Sequence, residues 1–394
     1  MPKVLDMLRS MHAKNTLKYA FNAANLYIGN RLSNGKEARR YPKIHDVTIN
    51  EHFTRYVFTL LNGMDPKDVA KKVYVFKQVF GESIELKGEL KKYVLTIYKR
   101  PQAGALPYSF SNIGPALVGK GLPIVCGRDI NGNWMVYDAI TEPNCLISGE
   151  PGAGKSTQLR SILTTLIQHK TSDELHLYLG DLKMSEFHLF KRVGHVKSVC
   201  VYPEDLAVML SFLAIELKKR SETLNKHSVT HVDKLPAATK PPYILLCIDE
   251  IVMIMDDKEM RKIIVQLVSL GRALGIYVIL SLQRPSHDIL DTKIRSLLTV
   301  RMGFRTTDAS NAKIIGTPGS EQISKTTPGR FVIKRDELTE LQAPYLSEEN
   351  ADKVLDAYRI DNWNNRFVDG PPPQPPAAEP ETLTEKDVFI DGPY

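Results

Sequence analysis

Cysteine is scarce in this chain: four in 394 residues, at Cys126, Cys145, Cys200 and Cys247. None stands at C-x-x-C spacing, and no Cys/His cluster has zinc-ligand spacing, which argues against a disulfide framework or a structural zinc. Cys145 and Cys247 lie in apolar, strand-like runs, the pattern of buried thiols in a reducing compartment. No apolar run approaches the ~20 residues that a helical membrane span needs. The N-terminus is basic but has no signal-peptide apolar block or cleavage site. The expectation is a cytoplasmic protein with no intrinsic membrane span, brought to a membrane, if at all, by a partner. Internal repeats are also missing.

What the chain does have is size and an uneven charge. Its 43% hydrophobic share is ample for a buried core, and its length suits two domains and a tail. The net charge is +7. Residues 336–394 nevertheless carry fourteen Asp/Glu against four Lys/Arg. A basic body with an acidic tail points to a polyanion partner, with solubility charge as the alternative.

One stretch organises the rest. The apolar run Asn144-Cys145-Leu146-Ile147-Ser148 leads into Gly149-Glu150-Pro151-Gly152-Ala153-Gly154-Lys155-Ser156-Thr157, and helical periodicity follows through Ile167. Strand, G-x-x-x-x-G-K-S loop and helix are the context of a phosphate-binding loop. Glycines let the backbone turn its N–H groups onto a phosphate, and the helix N-terminus adds the positive end of its dipole. In such a loop Lys155 reaches the β- and γ-phosphates, and the Ser156 hydroxyl holds Mg²⁺. The expected cofactors are ATP and Mg²⁺.

A second apolar run, Ile244-Leu245-Leu246-Cys247-Ile248, ends in Asp249-Glu250. Asp249 is positioned to hold the metal with Ser156, and Glu250 to polarise an attacking water as general base. A third run closes on Ser281-Leu282-Gln283-Arg284-Pro285. Gln283 would sit beside the γ-phosphate. The apolar runs at 175–181, 243–248 and 276–282 alternate with helical patterns at 206–224 and 258–274. That alternation predicts a parallel sheet covered on both faces.

The remainder divides as follows. Residues 1–46 hold nine Lys/Arg against three acids, with a partly amphipathic helix around Leu17–Tyr27. Residues 47–105 read as a small α+β domain: a strand at 53–61, a helix from Pro66 to Phe80 and two strands at 84–86 and 93–98. Pro101 to Pro115 reads as a turn-rich linker. Residues 106–345 are expected to form one larger domain around the phosphate loop. Residues 346–394 supply one helix around Ala351–Tyr358 and a Pro-rich acidic tail with an apolar spot at Val388-Phe389-Ile390.

At residues 269–285, Ser-Leu-Gly271-Arg272-Ala-Leu-Gly-Ile276 followed by Gln283-Arg284-Pro285 closely resembles the FtsK/SpoIIIE family of DNA translocases. Other segments agree in order. Asp181-Leu182-Lys183, with Glu186 after it, resembles the family's D-P-K segment. Glu216 to Arg220 resembles its E-x-x-x-R helix, and Asp249-Glu250-Ile251 its Walker B end. The resemblance spans about residues 120–335. The fold class it implies is α/β: a RecA-like P-loop ATPase core, mainly parallel sheet flanked by helices, with a small N-terminal α+β domain and a disordered acidic tail.

The resemblance implies a homo-hexameric ring with ATP sites between subunits and double-stranded DNA as a sequence-independent partner. It makes Arg272 the arginine finger, reaching a neighbour's γ-phosphate. Candidate DNA contacts are Lys293, Arg295 and Lys325, with solvated surface charge as the alternative. The membrane and winged-helix modules of cell-division translocases are absent from this sequence. It therefore looks like a plasmid-, element- or phage-borne relative, akin to conjugative coupling ATPases, with a membrane or transfer-complex partner met through the N-terminal segment. Two alternatives stay open: a secretion-type ATPase that recruits protein, and a nucleotide-binding scaffold without turnover.

Overall fold

The computed structural model describes residues 2–31, 37–49, 53–81, 84–98, 106–130, 132–285 and 292–368. The acidic tail and its Val388-Phe389-Ile390 spot lie outside them. The chain divides into two compact units, Met1–Ala103 with Ile130–Asn133, and Gly104–Asp129 with Trp134–Tyr394.

The first unit begins with helix α1 (Pro2–Ala23). Two short strands follow, β1 (Ile28–Arg31) and β2 (Glu37–Arg40). Then come β3 (Lys43–Ile49), β4 (Phe53–Thr59), α2 (Pro66–Lys71), α3 (Val73–Phe80), β5 (Ile84–Glu89) and β6 (Lys92–Tyr98). The last four strands form an antiparallel sheet ordered β3-β4-β6-β5. Helix α1 buries Ala13, Leu17, Ala20 and Phe21 in one core with Tyr56, Phe58, Phe76 and Leu95. The division expected at residue 46 therefore falls inside β3, and the basic segment and the α+β elements fold as one body. The helix expected from Pro66 to Phe80 is two helices. Asp65 caps the first by accepting the Lys67 amide at 2.8 Å, and Lys72 leaves the helical path between them.

The second unit opens with β7 (Leu106–Pro107) and α4 (Phe110–Leu117). Helix α4 stands where a linker was expected. Ser109 accepts the Asn112 amide and caps it, which lets it carry Pro115 inside its short length. Next come β8 (Pro123–Asp129), β9 (Trp134–Asp138), β10 (Asn144–Ser148) and α5 (Lys155–His169). The chain continues through β11 (Leu175–Asp181), β12 (Val196–Cys200), α6 (Pro203–His227), β13 (Tyr243–Asp249) and α7 (Lys258–Leu270). It closes with β14 (Ile276–Leu282), α8 (Thr292–Leu297), β15 (Val300–Phe304), α9 (Ala309–Ile315), β16 (Arg330–Lys334), β17 (Leu338–Gln342), β18 (Pro344–Tyr345) and α10 (Glu348–Leu355).

Ten of these strands make one sheet, ordered β12-β11-β13-β14-β10-β15-β16-β17-β8-β9. The six from β12 to β15 are parallel, and the rest join antiparallel. Strands β10, β13 and β14 are buried along their whole length, as near-continuous apolar runs between two helical layers should be. This is the expected α/β architecture. Its consequence is positional: β10, β13 and β14 are neighbours, so the loops at their C-terminal ends open on one crevice.

The outer strand β12 was not expected from sequence. Its free edge is covered by residues 358–367. Trp363 Nε1 donates to Val196 O at 2.6 Å. The Asn365 carbonyl accepts the Val199 amide at 3.1 Å, and its Nδ2 returns a bond to Val199 O at 2.9 Å. One side-chain amide thus does the work of a strand's backbone. Among the described residues no helix is long and apolar enough to cross a membrane.

Candidate nucleotide site

The loop Gly149–Gly154 leaves β10 and turns into α5 under steric limits that only glycine satisfies. Gly149 has φ +154°, and a Cβ there would meet Phe304 Cβ at 2.6 Å. Gly154 has φ +113°, and a Cβ would meet the backbone of Gly329 at 2.8 Å. The Gly329 amide donates to Ala153 O at 2.8 Å, and the Glu150 amide to Arg305 O at 2.9 Å. The Glu150 carboxylate also pairs with Arg305. The loop is thus clasped from both sides before any ligand arrives. The amides of Gly152, Gly154, Lys155 and Ser156 have no protein acceptor among the described residues. These unsatisfied donors at the start of a fifteen-residue helix form an anion cradle. Pro151 and Gly152 are exposed at its lip, and Thr157 is half-buried in the first helical turn.

Lys155 is 6% exposed. Its Nζ donates to Gly149 O at 2.7 Å, back across the loop. Burial lowers its pKa, while Asp249 and Glu250 oppose that shift. Asp249 ends β13 and Glu250 follows it, at 6% and 7% exposure as whole residues. Burial raises the Asp249 pKa, with Lys155 opposing. A buried cation faced by buried carboxylates stores a charge arrangement that a triphosphate and a divalent metal complete.

The oxygen donors suit Mg²⁺. The Ser156 hydroxyl lies against the Glu186 carboxylate, whose pKa is raised first by burial and also by nearby Asp249. Ser156, Asp249 and Glu186 are all hard oxygen ligands. Among the described residues no three His, Cys, Asp or Glu side chains gather as a metal cage.

Gln283 follows β14, and its backbone N–H donates to Glu250 Oε1 at 3.2 Å. Lys183 Nζ donates to Glu250 Oε2 at 2.5 Å. Lys155, Ser156, Asp249, Glu250 and Gln283 therefore converge. Sequence reasoning gave no role to Glu186, Lys183, Arg305 or Arg160. The first two stood out in the sequence only as part of the segment after Asp181 that resembles the family's D-P-K pattern, with no role attached. Arg160 is 7% exposed on α5. It binds Leu346 O at 3.0 Å and Glu348 at 2.9 Å, and lies 3.8 Å from Glu186.

Arg272 is not in this group. It stands before β14, while the site lies after that strand's seven residues. At ~3.3 Å per residue that is about 20 Å away, on the opposite rim of the sheet. Arg272 is exposed, and its Nε donates to Ile140 O at 3.2 Å. The turn carrying it is fixed by Arg220, buried on α6. Arg220 donates to Leu274 O at 2.9 Å and Pro242 O at 2.8 Å, and pairs with Glu216 at 2.9 Å. The E-x-x-x-R pattern thus anchors the Arg272 turn.

Of the basic residues Lys293, Arg295 and Lys325, the Lys293 side chain lies outside what the structure describes, and the other two do not form one patch. Lys293 and Arg295 belong to α8. The Arg295 carbonyl accepts from Arg301, near the start of β15. Lys325 is exposed in the loop before β16, four residues from the Gly329 that touches the phosphate loop. Arg295 and Lys325 thus lie toward opposite ends of the parallel strands. The physical reason is that β15 runs the length of the sheet between them.

Residues 119–239 match the FtsK/SpoIIIE family model. Over 257 residues the chain is 29% identical to the DNA translocase FtsK of Leptospira interrogans, covering 61% of this chain and 27% of that protein. It is 26% identical over 297 residues to the DNA translocase FtsK of Mycobacterium tuberculosis, covering 69% and 36%. This chain therefore spans only about a quarter to a third of the length of these relatives. The pCW3 conjugation coupling protein TcpA, solved in monomer form with ATPγS, superposes with a TM-score of 0.60 at 20% identity, over 87% of this chain and 98% of that one. ATPases 2 and 3 of EssC from Geobacillus thermodenitrificans give 0.55 at 18% identity, over 66% and 50%. At such identities the structural likeness concerns the fold. The stretch that matches the FtsK/SpoIIIE family model lies in the second unit, around the P-loop site, and that unit shares its α/β fold with the coupling protein and the EssC ATPases.

Proposed function

We propose that this protein is an Mg²⁺-dependent ATPase that converts hydrolysis into movement of DNA. The observation that carries the reading is the convergence of Lys155, Asp249, Glu250 and the Gln283 segment beside an anion cradle. In it, Gly149–Thr157 wrap the phosphates, Lys155 neutralises them, and Ser156 and Asp249 hold the metal. The metal supplies charge neutralisation at the phosphate oxygens. Glu250 orients and deprotonates the attacking water, and Gln283 sits at its side.

Arg272 acts in trans. It faces away from its own phosphate loop, which suits a ring of six copies in which each subunit completes a neighbour's site. Support for DNA as cargo is the likeness to DNA translocases and the basic body of the chain. Lys293, Arg295 and Lys325 are candidate phosphate contacts in that ring, gripping the polymer without reading bases. The N-terminal unit meets a membrane or transfer-complex partner, in plasmid or element transfer, with the motor in the cytoplasm.

The test is ATP turnover with Mg²⁺, with and without long duplex DNA, alongside negative-stain imaging with ATP. Stimulated turnover and six-membered rings threaded on DNA support the reading. No ATP consumption in the presence of DNA overturns it.

A further inference from the structure

The turn after β11 meets the site from outside the phosphate loop. Asp181 closes this turn by accepting the amides of Ser185, Glu186 and Phe187 at 3.1, 3.0 and 2.8 Å. Met184, in the same turn, has φ +55°. The result is a rigid platform for Lys183, whose ammonium lies 2.5 Å from Glu250 Oε2. The other oxygen of Glu250 holds the Gln283 amide. Glu250 itself has φ +59°, a left-handed conformation that a non-glycine residue keeps only when its surroundings fix it.

A general base must offer a lone pair to water. Here both carboxylate oxygens are engaged, one by a full positive charge. The Lys183 side chain is 30% exposed and can swing toward solvent, whereas the Glu250 side chain is 9% exposed and cannot. Lys183 and Lys155 are close enough to feel each other's charge. A γ-phosphate drawn to Lys155 therefore brings a second anion within reach of Lys183.

We propose that Lys183 is a positioning residue that restrains Glu250 in the nucleotide-free protein, and that turnover requires this ion pair to open. The inference rests on the reading of Glu250 as general base. No covalent bond changes in the step; one charge-assisted hydrogen bond is exchanged for another.

The experiment compares full-length wild type, Lys183→Met and Lys183→Arg. ATP turnover is measured without DNA and with saturating duplex DNA, and affinity is measured with a fluorescent ATP analogue. Lys183→Met raises kcat without DNA about tenfold, with KM and analogue affinity within about twofold of wild type, so the stimulation by DNA shrinks. Lys183→Arg restores a cation to Glu250 and returns the basal rate toward wild type. A basal kcat in Lys183→Met at or below wild type overturns the restraint, with wild-type hydrolysis showing that the functional reading itself survives. A wild type that binds the analogue but never turns over overturns both.

Discussion

The guanidinium of Arg160 and the carboxylate of Glu348 meet at 2.9 Å, tying the phosphate-loop helix to the first turn of α10. Glu348 is half exposed, so this pair alone contributes little. The buried side of Arg160 matters more, because it also satisfies Leu346 O and stands beside Glu186. Replacing it by Met leaves a carbonyl and a carboxylate without their cation. Arg160→Met is expected to destabilise the second unit by about 2–4 kcal/mol in chemical denaturation. Arg160→Lys recovers only part, since one ammonium cannot span acceptors that a planar fork reaches together.

Lys155 and Glu250 separate binding from chemistry. Lys155→Ala removes the cation that neutralises the phosphates, and affinity for a fluorescent ATP analogue falls at least about 100-fold. Glu250→Gln keeps the shape of the site but removes the base. It retains nucleotide while kcat falls by about 10²–10⁴. Equal turnover in Glu250→Gln and wild type would reject the base assignment.

Arg272 lies across the sheet from its own phosphate loop, so under the proposed trans role its loss is expected to act on a neighbouring subunit. Arg272→Ala keeps nucleotide affinity and lowers turnover by about 10³ or more. Mixing this variant with Lys155→Ala subunits checks the geometry. Partial recovery of hydrolysis supports action between subunits; complete independence of the two lesions rejects it.

Acid should loosen the second unit. Burial holds His176 down at about 4, and His195 also below the ordinary imidazole range. Their unfolded counterparts take a proton near pH 6.5. Between those values the unfolded state binds more protons, so stability falls as pH drops from about 6.5 toward 4. Thermal unfolding followed at pH 7, 6, 5 and 4.5 should show this slope, and His176→Gln should flatten it.

The site was legible because its chemistry is local in sequence. The phosphate loop needs its glycines within one turn, and Asp249-Glu250 needs only an apolar strand before it. Strand β12 was not legible: Val196–Cys200 mixes Lys197 and Ser198 into a short run, and what completes it is Asn365, far along the chain. Helix α4 was hidden by Pro115, which reads as a breaker unless the Ser109 cap is weighed. Lys183 was visible as a residue but not as a partner, because only the turn closed by Asp181 aims it at Glu250. Arg305 and Arg160 act through contacts with distant segments, which spacing cannot reveal.

The amide of Asn365 has one more consequence. A strand at the end of a sheet is a template for pairing with other molecules. By covering Val199 and Val196, this residue and Trp363 act as a built-in stopper on ten strands of adhesive backbone. A chain shortened to end at Leu355 would fold its nucleotide site yet clump through β12, and replacing Asn365 alone would start the same failure more slowly.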